Sequence, residues 1–206
     1  VNSESRKTRI GVLISGNGTN LQAIIDRSLA GDLQAEVVCV ISNKADAFGL
    51  QRASNHNIPA VHLDYREFSG RAEYDAALVA LLKQHEVDLV ILAGFMRIVT
   101  KVLLDAFPHR VMNIHPALLP AFPGLDAQKQ ALEYGVKVSG CTVHFVDTGT
   151  DTGPIILQAT VPVREDDTVE SLSERIHVEE HKLYPAAIQL FAQGRLEVTG
   201  RRVRIS

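Results

Sequence analysis

From residue 10 onward the chain alternates short, almost purely apolar runs with longer stretches in which apolar residues recur every three or four positions. The runs 10–14, 37–41 and 89–92 have the length and content of buried strands, and the apolar pair Ala60 and Val61 marks a shorter one. Between them, 20–30, 47–56 and 71–85 carry helical spacing. Continuous apolar strands separated by helices predict a parallel sheet covered on both faces. Ligands of such sheets sit at the carboxyl ends of the strands, near the switch in strand order, so the residues just after Ile14, Leu92 and Ile114 are the places to search.

The second half has a different rhythm. Segments 141–146 and 155–163, separated by a Gly-rich turn, predict an antiparallel hairpin that makes the sheet mixed. Segment 168–191 repeats apolar residues at helical spacing (Val169, Leu172, Ile176, Leu183), and Thr168 with Glu170 and Glu174 suits its start. Pro185 is expected to bend this helix or to open a new one at Tyr184. The end, 201–205, alternates like a short edge strand whose arginines form a solvated face. The predicted fold is α/β and Rossmann-like: a mostly parallel central sheet with helices on both faces and an antiparallel C-terminal extension. It is expected as one domain over 1–206, with 1–8 a flexible polar tail.

Charge narrows the partners. A net charge of -3 removes the broad basic surface of a nucleic-acid binder and points to a small-molecule ligand. No run approaches the roughly 20 apolar residues of a membrane span, and the polar start has no apolar signal core, so a cytoplasmic address without membrane contact is expected. Cys39 and Cys141 lack the paired spacing of a zinc or redox site and are expected as reduced, buried thiols.

The loop Ser15-Gly16-Asn17-Gly18-Thr19-Asn20 leaves a strand and opens a helix, which converges backbone amides where an anion can sit. A plain glycine turn capped by Thr19 or Asn20 explains the same residues. A dinucleotide fingerprint would need a third glycine where Leu21 stands and an acid where Ser42 and Asn43 stand, and the Walker lysine is absent; no NAD(P) is therefore expected. What stays open is a cradle for a single phosphate.

In Val111-Met112-Asn113-Ile114-His115-Pro116, a period of two places Asn113 and His115 on one face, and Pro116 holds His115 extended at the strand end. Alone, such a histidine is more often structural. The hairpin adds His144 and Asp151, the latter in the loop Thr148-Gly149-Thr150-Asp151-Thr152-Gly153-Pro154. A carboxylate beside an imidazole favours its charged form, so His115 is expected to have a raised pKa and to donate to an oxygen gaining negative charge, with the Asn113 amide as second donor. Neither cysteine has a base beside it to act as nucleophile, which leaves direct attack by a substrate amine on a carbonyl carbon.

Four segments together, SGNGTNLQAI from Ser15, LAGFMRI from Leu92, NIHPALLP from Asn113 and HFVDTGTDTGPIIL from His144, resemble the phosphoribosylglycinamide formyltransferases of the folate-dependent formyltransferase family. The resemblance runs over 9–196. It implies a transferase that moves the formyl group of 10-formyltetrahydrofolate, as co-substrate, to the amine of N1-(5-phosphoribosyl)glycinamide in de novo purine (IMP) biosynthesis, as a monomer or homodimer and without metal. By resemblance, Asn113, His115 and Asp151 match the catalytic set, with His144 in support. Gly18, Thr19 and Asn20 match the phosphate site, and the segment His177, Val178, Glu179 and Glu180 matches the ribose side, with Glu180 as the contacting acid. Met96, Arg97, Ile98 and Val99 match the folate strip, with Arg71 near the glutamate tail and Asp147, Thr148, Gly149, Thr150 and Asp151 around the pterin. The family carries His after the Pro-Gly-Leu at 123–125, where Asp126 stands here; this puts only local hydrogen bonding in question.

Two other classes compete. A nucleotide-dependent oxidoreductase fails on the missing glycine and acid, and a noncatalytic sugar-phosphate sensor would not need His115. His177 and His181 flank Glu180 four apart, but Val178 occupies the position where a zinc-protease pattern needs Glu.

Overall fold

The computed structural model describes residues 6–206. Strand β1 (Thr8–Ile14) leads through helix α1 (Thr19–Leu29) to β2 (Ala35–Ser42), α2 (Phe48–Asn55) and the short β3 (Ala60–His62). Helix α3 (Arg71–Gln84) then feeds β4 (Leu89–Leu92), and α4 (Lys101–Ala106) feeds β5 (Val111–His115). Next come α5 (Ala127–Tyr134), the hairpin of β6 (Val138–Phe145) and β7 (Ile155–Pro162), the long α6 (Val169–Ala192), β8 (Leu196–Thr199) and β9 (Arg202–Ile205). Among the described residues the strands form one nine-stranded sheet in the order β3-β2-β1-β4-β5-β6-β7-β9-β8. The pairs β3/β2, β2/β1, β1/β4 and β4/β5 are parallel, whereas β5/β6 and β6/β7 are antiparallel. The order reverses between β1 and β4, and the carboxyl ends of β1, β4 and β5 therefore share one rim.

Strand alternation divides the core into two layers. Ile10, Val12 and Ile14 face Leu21 and Ile24 of α1 and Tyr184 and Ile188 of α6. Leu13, Val90 and Leu92 face Tyr74, Leu78 and Leu82 of α3 and Leu103 of α4. Burying each such side chain contributes about 1.5–3 kcal/mol, which is why both faces of the parallel strands read as unbroken apolar runs. Gly11 lets α3 close onto β1, since a Cβ there would lie 2.5 Å from Leu82 Cδ2. A third cluster, Cys141, Val161, Leu172 and Ile176, fastens α6 to the hairpin. Both cysteines are buried and unpaired, and burial pushes their thiols up to about 12.

Five local expectations are corrected. Residues 1–5 of the expected tail lie outside the described residues, but Arg6 pairs with Asp88 at 3.3 Å and Thr8 already opens β1. The strand at the C-terminus is not an edge: β9 lies between β7 and β8, and β8 takes the rim. Helix α6 runs as one element through Pro185, so no new helix opens at Tyr184; Tyr184, Ala187 and Ile188 are buried in the main core, and that packing outweighs one missing backbone bond. The N-cap of α1 is Gly18, left-handed at φ 76 with no side-chain cap bond, rather than Thr19 or Asn20. At Thr168 the cap is reciprocal with Ser171 rather than with a glutamate.

Candidate active site

The rim of the sheet is tied together by small buried polar groups. Ser15 Oγ, at the end of β1, donates to Asn43 Oδ1 beyond β2 at 2.6 Å and accepts the N–H of Met96 beyond β4 at 2.8 Å. The hydroxyl of Tyr184, fully buried in α6, lies 2.9 Å from the carbonyls of both Leu92 and Met112 and fixes the ends of β4 and β5. Sequence reasoning named Ser15 only as part of the glycine loop and Tyr184 only as the start of a new helix, and missed that both tie the rim together; a serine at a strand end and a tyrosine inside a helix are weak signals for that.

The α1 end of the site is rich in donors. No acidic residue occupies the first turn of α1 and no side chain caps it, so its amides keep their affinity for an anion. Asn20 bridges from α1 to α6, its Nδ2–H donating to Glu180 Oε2 at 2.9 Å. Burial of Glu180 raises its carboxyl above the ordinary range, and the Asn20 bond and the charge of His177 oppose that only in part. Asn20 Oδ1 and His181 Nε2 are buried with no protein partner among the described residues. His177 stacks on His181 with ring centroids 6.3 Å apart. Val178 is exposed, and Glu179 pairs with Lys182 at 2.8 Å; the helix turns both away from the face that Glu180 presents to Asn20.

At the end of β5, Asn113 and His115 share a face, as the alternation requires, with Met112 and Ile114 in the opposite layer. Antiparallel pairing sets Asn113 opposite His144. His144 Nδ1–H donates to the Phe145 carbonyl at 2.9 Å, which leaves Nε2 to accept from Asn113 Nδ2 at 3.3 Å. Asp151, left-handed at φ 54, reaches back between the two imidazoles. Its Oδ2 lies 3.3 Å from His115 Nδ1 and its Oδ1 3.7 Å from His144 Nε2, the latter an electrostatic contact rather than a hydrogen bond. Gly124 N–H donates to Asp151 Oδ2 at 2.8 Å, and His115 Nε2–H donates to the Phe122 carbonyl at 2.7 Å. The loop after Pro116 thus holds both members of the pair, a connection that no spacing in the sequence announces.

The electrostatics correct one expectation. Burial of His115 is the largest influence on it and pulls its pKa below the ordinary imidazole value; the Phe122 carbonyl and Asp151 push upward without prevailing, and His144 adds to the lowering. Asp151 was expected to raise it, and does so, but His115 is only 4% exposed and desolvation wins. Burial also opposes ionisation of Asp151, yet the neighbouring His144, the Gly124 N–H and the charge of His115 together hold its carboxyl below the usual carboxylate value.

The strip after β4 leaves Met96 and Ile98 exposed, at 63% and 56%, with Val99 buried beneath. Arg97, half-buried, lies over the rings of Tyr65 at 4.0 Å and Tyr74 at 5.0 Å. Arg71 is exposed in the first turn of α3, one turn before Tyr74. Asp147 Oδ1 accepts from the Gly149 amide and the Thr152 hydroxyl at 3.0 and 2.6 Å, shaping the exposed turn Thr148, Gly149 and Thr150. Asp126 is left-handed at φ 55, and its side chain does not cap α5.

A sheet rim that carries uncapped amides after β1, a buried acid beside them and an Asn–His–Asp group after β5 has the donors to hold an anionic acceptor and to stabilise an oxyanion. The model of the formyl transferase family matches residues 8–188. The phosphoribosylglycinamide formyltransferase of Haemophilus influenzae is 45% identical over 190 residues, 92% of this chain and 90% of that protein. The trifunctional purine biosynthetic protein adenosine-3 of Drosophila melanogaster is 51% identical over 92% of this chain, which spans only 14% of that relative's length. The crystal structure of glycinamide ribonucleotide transformylase 1 from Symbiobacterium toebii superposes with a TM-score of 0.98 at 58% identity, covering 100% of this chain and 97% of that one. The chain thus belongs to the formyl transferase family, among its phosphoribosylglycinamide formyltransferases.

Proposed function

We propose that the chain transfers the formyl group of 10-formyltetrahydrofolate to the amine of N1-(5-phosphoribosyl)glycinamide, a step of de novo purine biosynthesis. The observation that carries the reading is Asp151 set between His115 and His144, with His144 in turn holding the Asn113 amide, at the rim shared with the uncapped N-terminus of α1. The substrate phosphate lies on Gly18, Thr19 and Asn20, and Glu180 meets the ribose and glycinamide portion. Exposed Met96 and Ile98, beside the turn 147–151, offer a flat folate ring apolar contact and backbone hydrogen-bonding groups.

In this reading the amine nitrogen bonds to the formyl carbon, and the carbonyl oxygen becomes an oxyanion. Asn113 gives it the Nδ2–H not used on His144. His115 can give only the Nε2–H now held by Phe122, so the formyl oxygen takes the place of that carbonyl as acceptor. Collapse of the intermediate breaks the bond to N10 of the folate, and the proton lost from the amine ends on N10. Asp151 compensates the imidazolium while it exists, which matters more because burial disfavours that form. The test mixes the protein with both substrates and follows deformylated folate by absorbance and the N-formyl product by mass. Folate deformylation at an unchanged rate without the amine would make the chain a hydrolase, and binding without turnover would make it a sensor.

A further inference from the structure

The glycine loop is gripped from one side by α2. Gly49, in its first turn, donates its N–H to the Gly16 carbonyl at 3.1 Å. Arg52, one turn on, donates through Nε to the Asn17 carbonyl at 2.9 Å and through Nη2 to Asn17 Oδ1 at 2.7 Å. Its Nη1 reaches Gln22 Oε1 in α1 at 3.3 Å, and its guanidinium lies 4.8 Å from the Phe48 ring centroid. These acceptors are neutral oxygens, so the positive charge is left uncompensated by them.

In a trans peptide the carbonyl and the following N–H point in opposite directions. Two successive carbonyls drawn toward α2 therefore aim two successive amides, those of Asn17 and Gly18, to the far side of the loop. Among the described residues neither amide has a backbone acceptor. The approach needs glycine at 18, where a Cβ would lie 2.8 Å from Gly49 Cα; one on Gly49 would instead press the end of Ile14 at 2.4 Å.

We propose that Arg52 is a positioning residue for the substrate phosphate: by holding both oxygens of Asn17 it presets the Asn17 and Gly18 amides as anion donors, extending the cradle before the first turn of α1. The inference deepens the phosphate site of the proposed function and rests on it. Arg52→Met keeps the stem over Phe48 and removes the donors; Arg52→Lys keeps the charge but cannot span the two Asn17 oxygens. Each variant is assayed with glycinamide ribonucleotide and with its ribonucleoside, which lacks the phosphate. Losing the preset amides is expected to lower kcat/KM for the ribonucleotide by roughly ten- to a hundredfold in Arg52→Met, the scale of one or two hydrogen bonds to a charged group. The loss for the ribonucleoside is expected to be at least about fivefold smaller, KM for the folate to stay put, and Arg52→Lys to recover only part of the loss.

Equal losses for both acceptors would reduce Arg52 to a structural tie, and full recovery by Lys would reduce it to a charge; either overturns the proposal. A titration with inorganic phosphate separates this from failure of the enzymatic reading. The Asn17 and Gly18 amide resonances should shift in the unaltered protein and not in Arg52→Met, whatever reaction the chain catalyses. Shifts of equal size in both proteins would also overturn it.

Discussion

Replacing Glu180 by Gln isolates the cost of keeping a carboxylate in the interior. The side chain is only 4% exposed, and its protein hydrogen bond is the Asn20 Nδ2–H at 2.9 Å. His177 on the same helix, the Cys141 thiol and the Tyr184 hydroxyl are titratable groups that share its field. Taking an ion of this size out of water costs several kcal/mol, and one charge-assisted hydrogen bond returns about 1.5–3 kcal/mol. The variant keeps an oxygen for Asn20 and carries no charge, so it should be more stable than the parent by about 1–3 kcal/mol wherever the parent is ionised. In a chain of 206 residues that corresponds to a Tm higher by roughly 2–10 °C. The sign follows from linkage: a folded-state pKa raised above the unfolded value contributes stability that is complete below the unfolded pKa and lost as pH rises through the folded one. The Tm gap between Gln variant and parent should thus be wide at pH 8 and close toward pH 4, read by calorimetry across that range. Under the proposed function turnover should fall together with the gain in stability, because there the acceptor meets the charge kept at this cost. A Gln variant less stable than the parent at pH 8, or a gap that ignores pH, would refute the reasoning.

Three other outcomes are expected. Asp151→Asn keeps an acceptor for the Gly124 N–H but removes the countercharge from His115, and kcat should fall by roughly 10²–10⁴ in single-turnover assays with little change in Tm. Gly153→Ala places a Cβ 1.7 Å from the Phe145 carbonyl oxygen, which the backbone cannot absorb without shifting the Asp151 loop; denaturant unfolding should show a loss of at least ~2 kcal/mol and kcat should drop with it. His115 should titrate below the ordinary imidazole value when its ring protons are followed by NMR in the ligand-free protein. A lowered folded pKa makes its contribution complete above the unfolded value and lost as pH falls through the folded one, so acid weakens the protein in this window.

The parallel half of the fold was legible because its strands are buried on both faces and its helices are long enough to repeat an apolar stripe. The parts that were not legible have local reasons. Helix α4 is six residues long and α5 opens on Asp126 in a left-handed conformation, so neither offers a stripe or a familiar cap. Strand β8 is half exposed and short, and without it β9 passes for the rim. Pro185 was given the weight of an isolated-helix rule, which the burial of its neighbours overrides. At the site, period-two reading placed Asn113 and His115, and the hairpin placed His144 and Asp151. The direction in which His115 shifts was not readable, because it depends on burial beneath the 116–126 loop and not on which charged residue is nearest. Arg52 and Gly49 were invisible for a related reason: their work is done on the carbonyls of a loop more than thirty positions earlier.

The Ser15 hydroxyl, donating to Asn43 and accepting from Met96, makes one oxygen the shared keystone of the loops that follow β1, β2 and β4. Reshaping the glycine loop through residue 15 would drag the strip after β4 with it, since the Met96 N–H has no other acceptor among the described residues. If the proposed function holds, refitting the rim to a new amine would therefore do better to recut Glu180 and its helix, and leave the serine untouched.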